Sequence, residues 1–247
     1  MTQVIQKKPN ELSGNEKKQL KHFLKRYYST INENYISDRL SNTYDYDIVL
    51  MKNQGVVLGA SYYKIDKLKT PFAKKRLPVV HFGQVLKNEY YKGAVIRRTG
   101  HWYVQKSISY FYPIKKIVGV SMVGSPKVFE HFTKLFKNHC PNLDAVKSNN
   151  NISITHFLQE VYEKRGVKLK FNGNHCFAHM DFEPIDITKD WERYYKAKNK
   201  TINAFFIENG LIKFEGNKIY DNNVALIVCG FRNPMNFIST KKVQLEI

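Results

Sequence analysis

Two short segments of this 247-residue chain carry residue types that bind anions and move protons. The run Val79-Val80-His81-Phe82-Gly83-Gln84-Val85-Leu86 reads as a buried strand. Arg97-Arg98-Thr99-Gly100-His101-Trp102 follows as a polar loop leading into a helix. N–H groups at a helix start lack intrahelical partners and sit at the positive end of the dipole, so they attract phosphates. Arg97 and Arg98 would add charge-assisted bonds to the same anion. The combination implies a nucleotide-like cofactor. His81 and Glu89 lie on or near that strand, and counted along an alternating strand they share one face. Both are therefore candidates for moving a proton there.

A second constellation is His175-Cys176-Phe177-Ala178-His179-Met180-Asp181. On a strand, His175, His179 and Asp181 share a face and Cys176 points the other way. Residues four apart on a strand are separated by roughly 13 Å, which argues against joint ligation of one metal ion. His179 with Asp181 reads instead as a hydrogen-bonded acid–base pair, beside the plainer reading of His179 as an ordinary strand histidine. Cys140, Cys176 and Cys229 are odd in number and widely spaced. That spacing points to reduced, mostly buried thiols rather than a disulfide framework or a paired-cysteine zinc site.

Charge narrows the partners. Forty Lys and Arg against 21 Asp and Glu give a formal net charge of +19. Such an excess points to a polyanion, with nucleic acid (DNA or tRNA) first among the candidates. Basic and aromatic residues interleave from Tyr90 to Tyr103 and from Trp191 to Lys200, a composition suited to exposed bases. On helices the same rings belong to the core, and both readings stand. With 43% hydrophobic residues the chain is globular, and no apolar run nears the roughly 20 residues of a membrane span. The first eight residues lack the apolar core of a signal peptide, so an intracellular, cytoplasmic protein is expected.

These residues need elements to hold them. Ser13 and Glu16 form a capping box ahead of Leu20, Phe23, Leu24, Tyr27 and Tyr28, so a helix opens the chain. Asp47–Met51, the turn at Asn53-Gln54-Gly55 and Val56–Ile65 read as a hairpin. Residues 64–76, with Pro71 and six cations, read as a basic loop. After Gly100, Val104, Ile108, Phe111 and Tyr112 keep helical spacing up to Pro113. Ile117–Val123 is a strand buried on both faces, and Ser125-Pro126 caps and starts the next helix. Further on, Ile154, Phe157, Leu158 and Val161 mark a helix, and another starts near Asp190. Asn209-Gly210 reads as the turn of a hairpin between Ala204–Ile207 and Leu211–Phe214.

This order resembles the GNAT superfamily of N-acyltransferases. Arg97 and Gly100 fit the first and fourth positions of the family's Arg/Gln-x-x-Gly-x-Gly/Ala loop, whereas Trp102 replaces its small sixth residue. Ser125, Val128 and Phe132 fall where the family often places Asn, Ala and a proton-donating Tyr, and Phe132 cannot donate. The resemblance covers residues 11–136. It implies an α+β fold with a mixed, mostly antiparallel sheet flanked by helices. The whole of 1–247 would form one such domain, with 11–136 as cofactor core and 148–247 as an enlarged, divergent acceptor half. It further implies acetyl-CoA or another acyl-CoA as cofactor, held by Tyr91, Lys92, Arg97, Arg98, Thr99, Gly100, His101, Trp102 and Ser125. Direct attack of an acceptor amine on the thioester would follow, with His81, Glu89, His179 and Asp181 as acid–base candidates. The acceptor would be nucleic acid or linked to it, in the manner of phage-type DNA base-modifying enzymes. Alternatives are a small amine or protein amine as acceptor, or a non-enzymatic nucleic-acid-binding protein on a transferase scaffold.

Overall fold

The computed structural model describes residues 2–27, 33, 36–37, 40–41, 45–108, 115–141, 143, 151–163, 167, 169–172, 175–179 and 183–232. The fold is α+β on a mixed sheet, mostly antiparallel, with helices against it. The chain divides into two compact units, Met1–Asp66 with Val80–Pro113, and Lys67–Val79 with Ile114–Ile247.

The first unit holds β1 (Thr2–Lys7), α1 (Gly14–Tyr27), β2 (Asp47–Asn53), the start of β3 (Val56–Thr70), the end of β4 (Ala73–Lys87) and α2 (Val95–Ser107). β1 pairs antiparallel with β2, and β2 with β3. The β2–β3 turn has positive φ at both Gln54 (47°) and Gly55 (80°), the type I′ geometry that matches strand twist. Alternation then sorts the side chains. Ile48, Leu50, Ala60 and Tyr62 pack with Leu20, Phe23 and Leu24 of α1. Val49 and Tyr63 pack with Tyr103 of α2 on the other side. Each fully buried aliphatic side chain contributes roughly 2 kcal/mol before the entropy of ordering is set against it. The capping box forms as expected: the Glu16 N–H donates to Ser13 Oγ (3.2 Å), and the Ser13 N–H donates to Glu16 Oε2 (2.8 Å).

The second unit holds the distal ends of β3 and β4, then β5 (Ile117–Val123), α3 (Pro126–Leu135), β6 (Asn138–Cys140) and α4 (Asn151–Glu163). It continues with β7 (Leu169–Asn172), β8 (His175–His179), β9 (Ile185–Asp186), α5 (Lys200–Glu208), β10 (Ile212–Glu215), β11 (Lys218–Asp221) and β12 (Val224–Arg232). β12 pairs antiparallel with β5, β6 and β8. One face carries Val118, Val120, Ile227 and Cys229 against Phe157, Leu158, Val161 and Tyr162 of α4. On the opposite face Gly119 and Gly230 lie directly across from each other. A Cβ at either would come within 2.3 Å of Phe136, so both must be glycine for that ring to lie against the sheet. Cys140, Cys176 and Cys229 are free and buried.

Two local readings of the sequence are corrected. Residues 64–76 are the paired ends of β3 and β4, with the turn at Pro71-Phe72, rather than a loop. Leu68, Phe72, Ala73 and Leu77 pack into the core, and the cations between them masked that alternation. Asn209-Gly210 ends α5 instead of joining two strands. Asn209 is the C-cap, and Gly210 takes the left-handed φ of 69° that terminates helices. The burial of Ile202, Asn203 and Phe206 follows a helical period, and the hairpin turn lies at Gly216-Asn217 between β10 and β11.

Candidate functional site

In the first unit β4 ends at Lys87 and α2 begins at Val95. The turn between them is fixed by Asn88. Its N–H donates to the Leu58 carbonyl (3.0 Å), its carbonyl accepts from Tyr91 N–H (3.1 Å), and its side chain accepts from Tyr90 N–H (3.0 Å). Gly93 then passes under Tyr91, where a Cβ would lie 2.1 Å from the phenol oxygen. Ala94 is the N-cap of α2 and offers no capping side chain. Helix geometry therefore leaves the N–H groups of Ala94, Val95, Ile96 and Arg97 without intrahelical acceptors. Ser125 provides the contrast at α3, where its Oγ accepts from Val128 N–H at 3.2 Å.

The helix start with free N–H groups thus lies ahead of the expected segment. Arg97 to Trp102 form no loop; they lie inside α2, where backbone N–H groups from Arg98 onward are engaged in the helix. Arg97, Arg98 and Lys92 are exposed, and no ion-pair partner is found for them among the described residues. Thr99 and Gly100 are buried. The Thr99 hydroxyl lies 2.9 Å from Ser61 Oγ, 3.0 Å from the Tyr63 hydroxyl and 2.9 Å from the Val95 carbonyl. Gly100 allows Tyr63 to approach, since a Cβ there would sit 3.1 Å from the phenol oxygen. Trp102 packs beside Tyr63 and Tyr103 and carries Lys106 over its ring. These three residues fasten α2 to the sheet, and His101 is on the exposed side. The signal that locates the true helix start is the Tyr91-Lys92-Gly93-Ala94 step, a glycine and a non-capping residue after a turn.

His81 is buried on β4 at 2% exposure, with Nε2 3.1 Å from Asp66 Oδ2. Glu89 does not share its face, because β4 has already ended and Glu89 sits in the turn, ion-paired with Arg26 of α1. Gln84, also on β4, buries both polar atoms of its carboxamide without a partner among the described residues. Such a group forfeits its hydrogen bonds to water, and sequence reading passed it over.

In the second unit His179 is exposed at the end of β8, opposite Val224, and Asp181 lies outside the described residues. Phe132 is buried and packs on Phe136, with ring centroids 4.9 Å apart. Asp221 was missed entirely. Its carboxylate is buried above Gly124, with Oδ2 3.5 Å from where a Cβ would stand. Burial pushes its carboxyl up to about 7, against the pull of the Asn223 backbone N–H. Nothing in the local sequence Tyr220-Asp221-Asn222 distinguishes it from a turn aspartate.

No family model matches the sequence, and no curated protein matches it significantly. The chain is similar to several solved acetyltransferases of the GNAT kind. An IAA acetyltransferase from Bacillus cereus shares 10% identity over 94% of this chain and 100% of its own, with a TM-score of 0.36. An N-acetyltransferase from Staphylococcus aureus shares 10% identity over 96% and 99%, with a TM-score of 0.33. The aminoglycoside N-acetyltransferase AAC(6')-Iy, solved in complex with CoA, shares 10% identity over 70% and 91%, with a TM-score of 0.34. Scores of this size mark a likeness, and the functional reading stands on the chain's own residues. Among the described residues no helix is long and apolar enough to cross a membrane.

Proposed function

We propose that this chain is an acyl-CoA-dependent N-acyltransferase. The observation that carries the reading is the uncapped start of α2, directly after β4 and flanked by the exposed Lys92, Arg97 and Arg98. Backbone donors without intrahelical acceptors, beside cations with no ion-pair partner among the described residues, suit the pyrophosphate of a CoA thioester. Gly93 lets the Tyr91 ring close over the backbone just before these donors. Bound there, the thioester supplies an activated acyl group to an amine.

His81 with Asp66 is the proposed acid–base pair of the first unit. The imidazole takes the proton that the attacking amine must lose, and Asp66 lies within ion-pair distance of the ring. Glu89, tied to Arg26, positions the turn rather than taking that proton. Ser125 keeps its helix cap, and in the second unit His179 is exposed. The net charge of +19 supports an acceptor amine on, or linked to, a nucleic acid. A non-enzymatic reading draws on Phe132, whose buried ring offers no acid at the position the resemblance assigns to one.

Calorimetric titration with acetyl-CoA and with dephospho-CoA tests the reading. Micromolar binding, weakened at least tenfold by Arg97→Ala with Arg98→Ala, is the expected result. Absence of binding to any CoA species removes the transferase and leaves the nucleic-acid-binding alternative.

A further inference from the structure

The distal hairpin formed by β3 and β4 concentrates positive charge. Between Lys67 and Val79 stand Lys67, Lys69, Lys74, Lys75 and Arg76, without a single Asp or Glu. All five cations are exposed, and none has an ion-pair partner among the described residues. Several cations of the first unit are instead drawn into pairs, as Lys7 and Lys52 are with Glu16, Lys64 with Asp45 and Arg26 with Glu89.

The ribbon that carries these charges is held in place. Leu68, Phe72, Ala73 and Leu77 pack into the core of the second unit, and Phe72 stacks on Phe231 with centroids 5.0 Å apart and planes 2° from parallel. A charged ribbon fixed beforehand loses little conformational entropy on binding. Lys67 and Lys69 project from the same side of their strand about 6.6 Å apart. That spacing is close to the rise of two nucleotides along one strand of a duplex. The large apolar side chains exposed on the described surface, among them Tyr90, Val128 and Leu135, all lie outside this segment. A membrane surface would require such side chains beside the cations.

We infer that the hairpin end Lys67–Val79 is a docking ribbon for the phosphate backbone of a nucleic acid, contacted without regard to base sequence. The inference deepens the acceptor part of the proposed function and rests on it there. The binding surface itself is independent of the cofactor.

The test is fluorescence anisotropy of a labelled 20-base-pair duplex against the full-length protein, at several salt concentrations. Replacing Lys67, Lys69, Lys74, Lys75 and Arg76 together by Gln should weaken binding at least tenfold at 0.1 M salt. It should also flatten the plot of log K against log salt by roughly 3 to 5, near 0.9 for each phosphate no longer neutralised. A control variant with Gln at Lys17, Lys18, Lys189, Lys200 and Lys218, all exposed, has the same net charge and should bind less than threefold more weakly than wild type. Arg in place of the four hairpin lysines should retain binding, which separates removal of charge from misfolding. Equal weakening in the hairpin and control variants overturns the inference, as does an unchanged hairpin variant. Tighter binding to phosphatidylserine vesicles than to the duplex overturns the choice of partner. Acetyl-CoA titration of the same variants reads the cofactor site separately, so failure of one assignment leaves the other measurable.

Discussion

Nε2 of His81 lies 3.1 Å from Oδ2 of Asp66, in a position where the imidazole is almost wholly shielded from water. The carboxylate retains partial exposure. The carboxylate stands within ion-pair distance of the ring without hydrogen-bond geometry at either nitrogen, so proximity and charge, not a hydrogen bond, couple the two groups. If this pair receives the acceptor's proton, His81→Gln should lower kcat by roughly 10²-fold or more, the usual contribution of a general base. KM for acetyl-CoA should stay within about threefold, because the donors proposed for its phosphates lie at the start of α2. Asp66→Asn should give a smaller loss. Full activity in His81→Gln, with thermal unfolding unchanged, would remove the pair from the mechanism.

Ala94 invites a substitution whose two effects run in opposite directions. Aspartate at an N-cap accepts from free N–H groups and stabilises the helix by about 1 kcal/mol. In a chain of this size that raises Tm by roughly 2–4 °C. The same carboxylate would occupy the donors proposed for pyrophosphate and repel it. Ala94→Asp should therefore increase Tm while weakening acetyl-CoA binding at least tenfold. A stabilised protein with unaltered affinity would place the cofactor's phosphates away from the start of α2.

Legibility of the fold followed the physics of each signal. The capping box at Ser13 and Glu16, the β2–β3 hairpin, the doubly buried β5 and the Ser125-Pro126 helix start depend on near neighbours, and all were readable. Residues 64–76 were misread because five exposed cations hide an alternation visible only once Leu68, Phe72 and Leu77 are known to be inside. Asn209-Gly210 was misread because the same dipeptide suits a type I′ turn and a helix stop, and only the burial of Phe206 decides between them. The candidate site suffered a shift of the same origin. Arg97 to Trp102 looked like a loop by residue type, while helix α2 starts two residues before Arg97, at Val95, which packs against Gly59. Asp221 and the His81–Asp66 pair arise from tertiary placement, which a linear pattern does not encode.

Glu16 links the capping box to two lysines, at 2.7 Å from both Lys7 and Lys52. Burial opposes its charge, but Lys52, Lys7 and the Ser13 N–H outweigh burial and hold the carboxyl at about 2. A carboxyl depressed in the folded state stabilises it above its unfolded pKa, and that contribution disappears as pH falls. Glu16→Gln should cost about 2 kcal/mol at pH 7, an order-of-magnitude figure for a buried, hydrogen-bonded charge. The difference from wild type should shrink between about pH 4.5 and pH 2. Urea midpoints measured across that range check it. A constant difference would mean that the loss comes from packing instead.

Asp221 should behave in the reverse sense. Its carboxyl titrates near 7 in the folded chain against 3.8 for the free side chain, because burial above Gly124 disfavours the charge. Between those values the folded state binds more protons than the unfolded one. Stability then decreases as pH rises through this window, by a few kcal/mol at most. Asp221→Asn retains an oxygen to accept from the Asn223 N–H and removes the charge. The variant should match wild type within about 1 kcal/mol at pH 4, where both side chains are neutral when folded. At pH 8 it should be the more stable protein, with Tm higher by several degrees. Equal stability of the two proteins at pH 8 would show that the carboxylate there has a compensating partner. A variant destabilised at every pH would show instead that the second carboxylate oxygen makes an interaction the amide cannot replace.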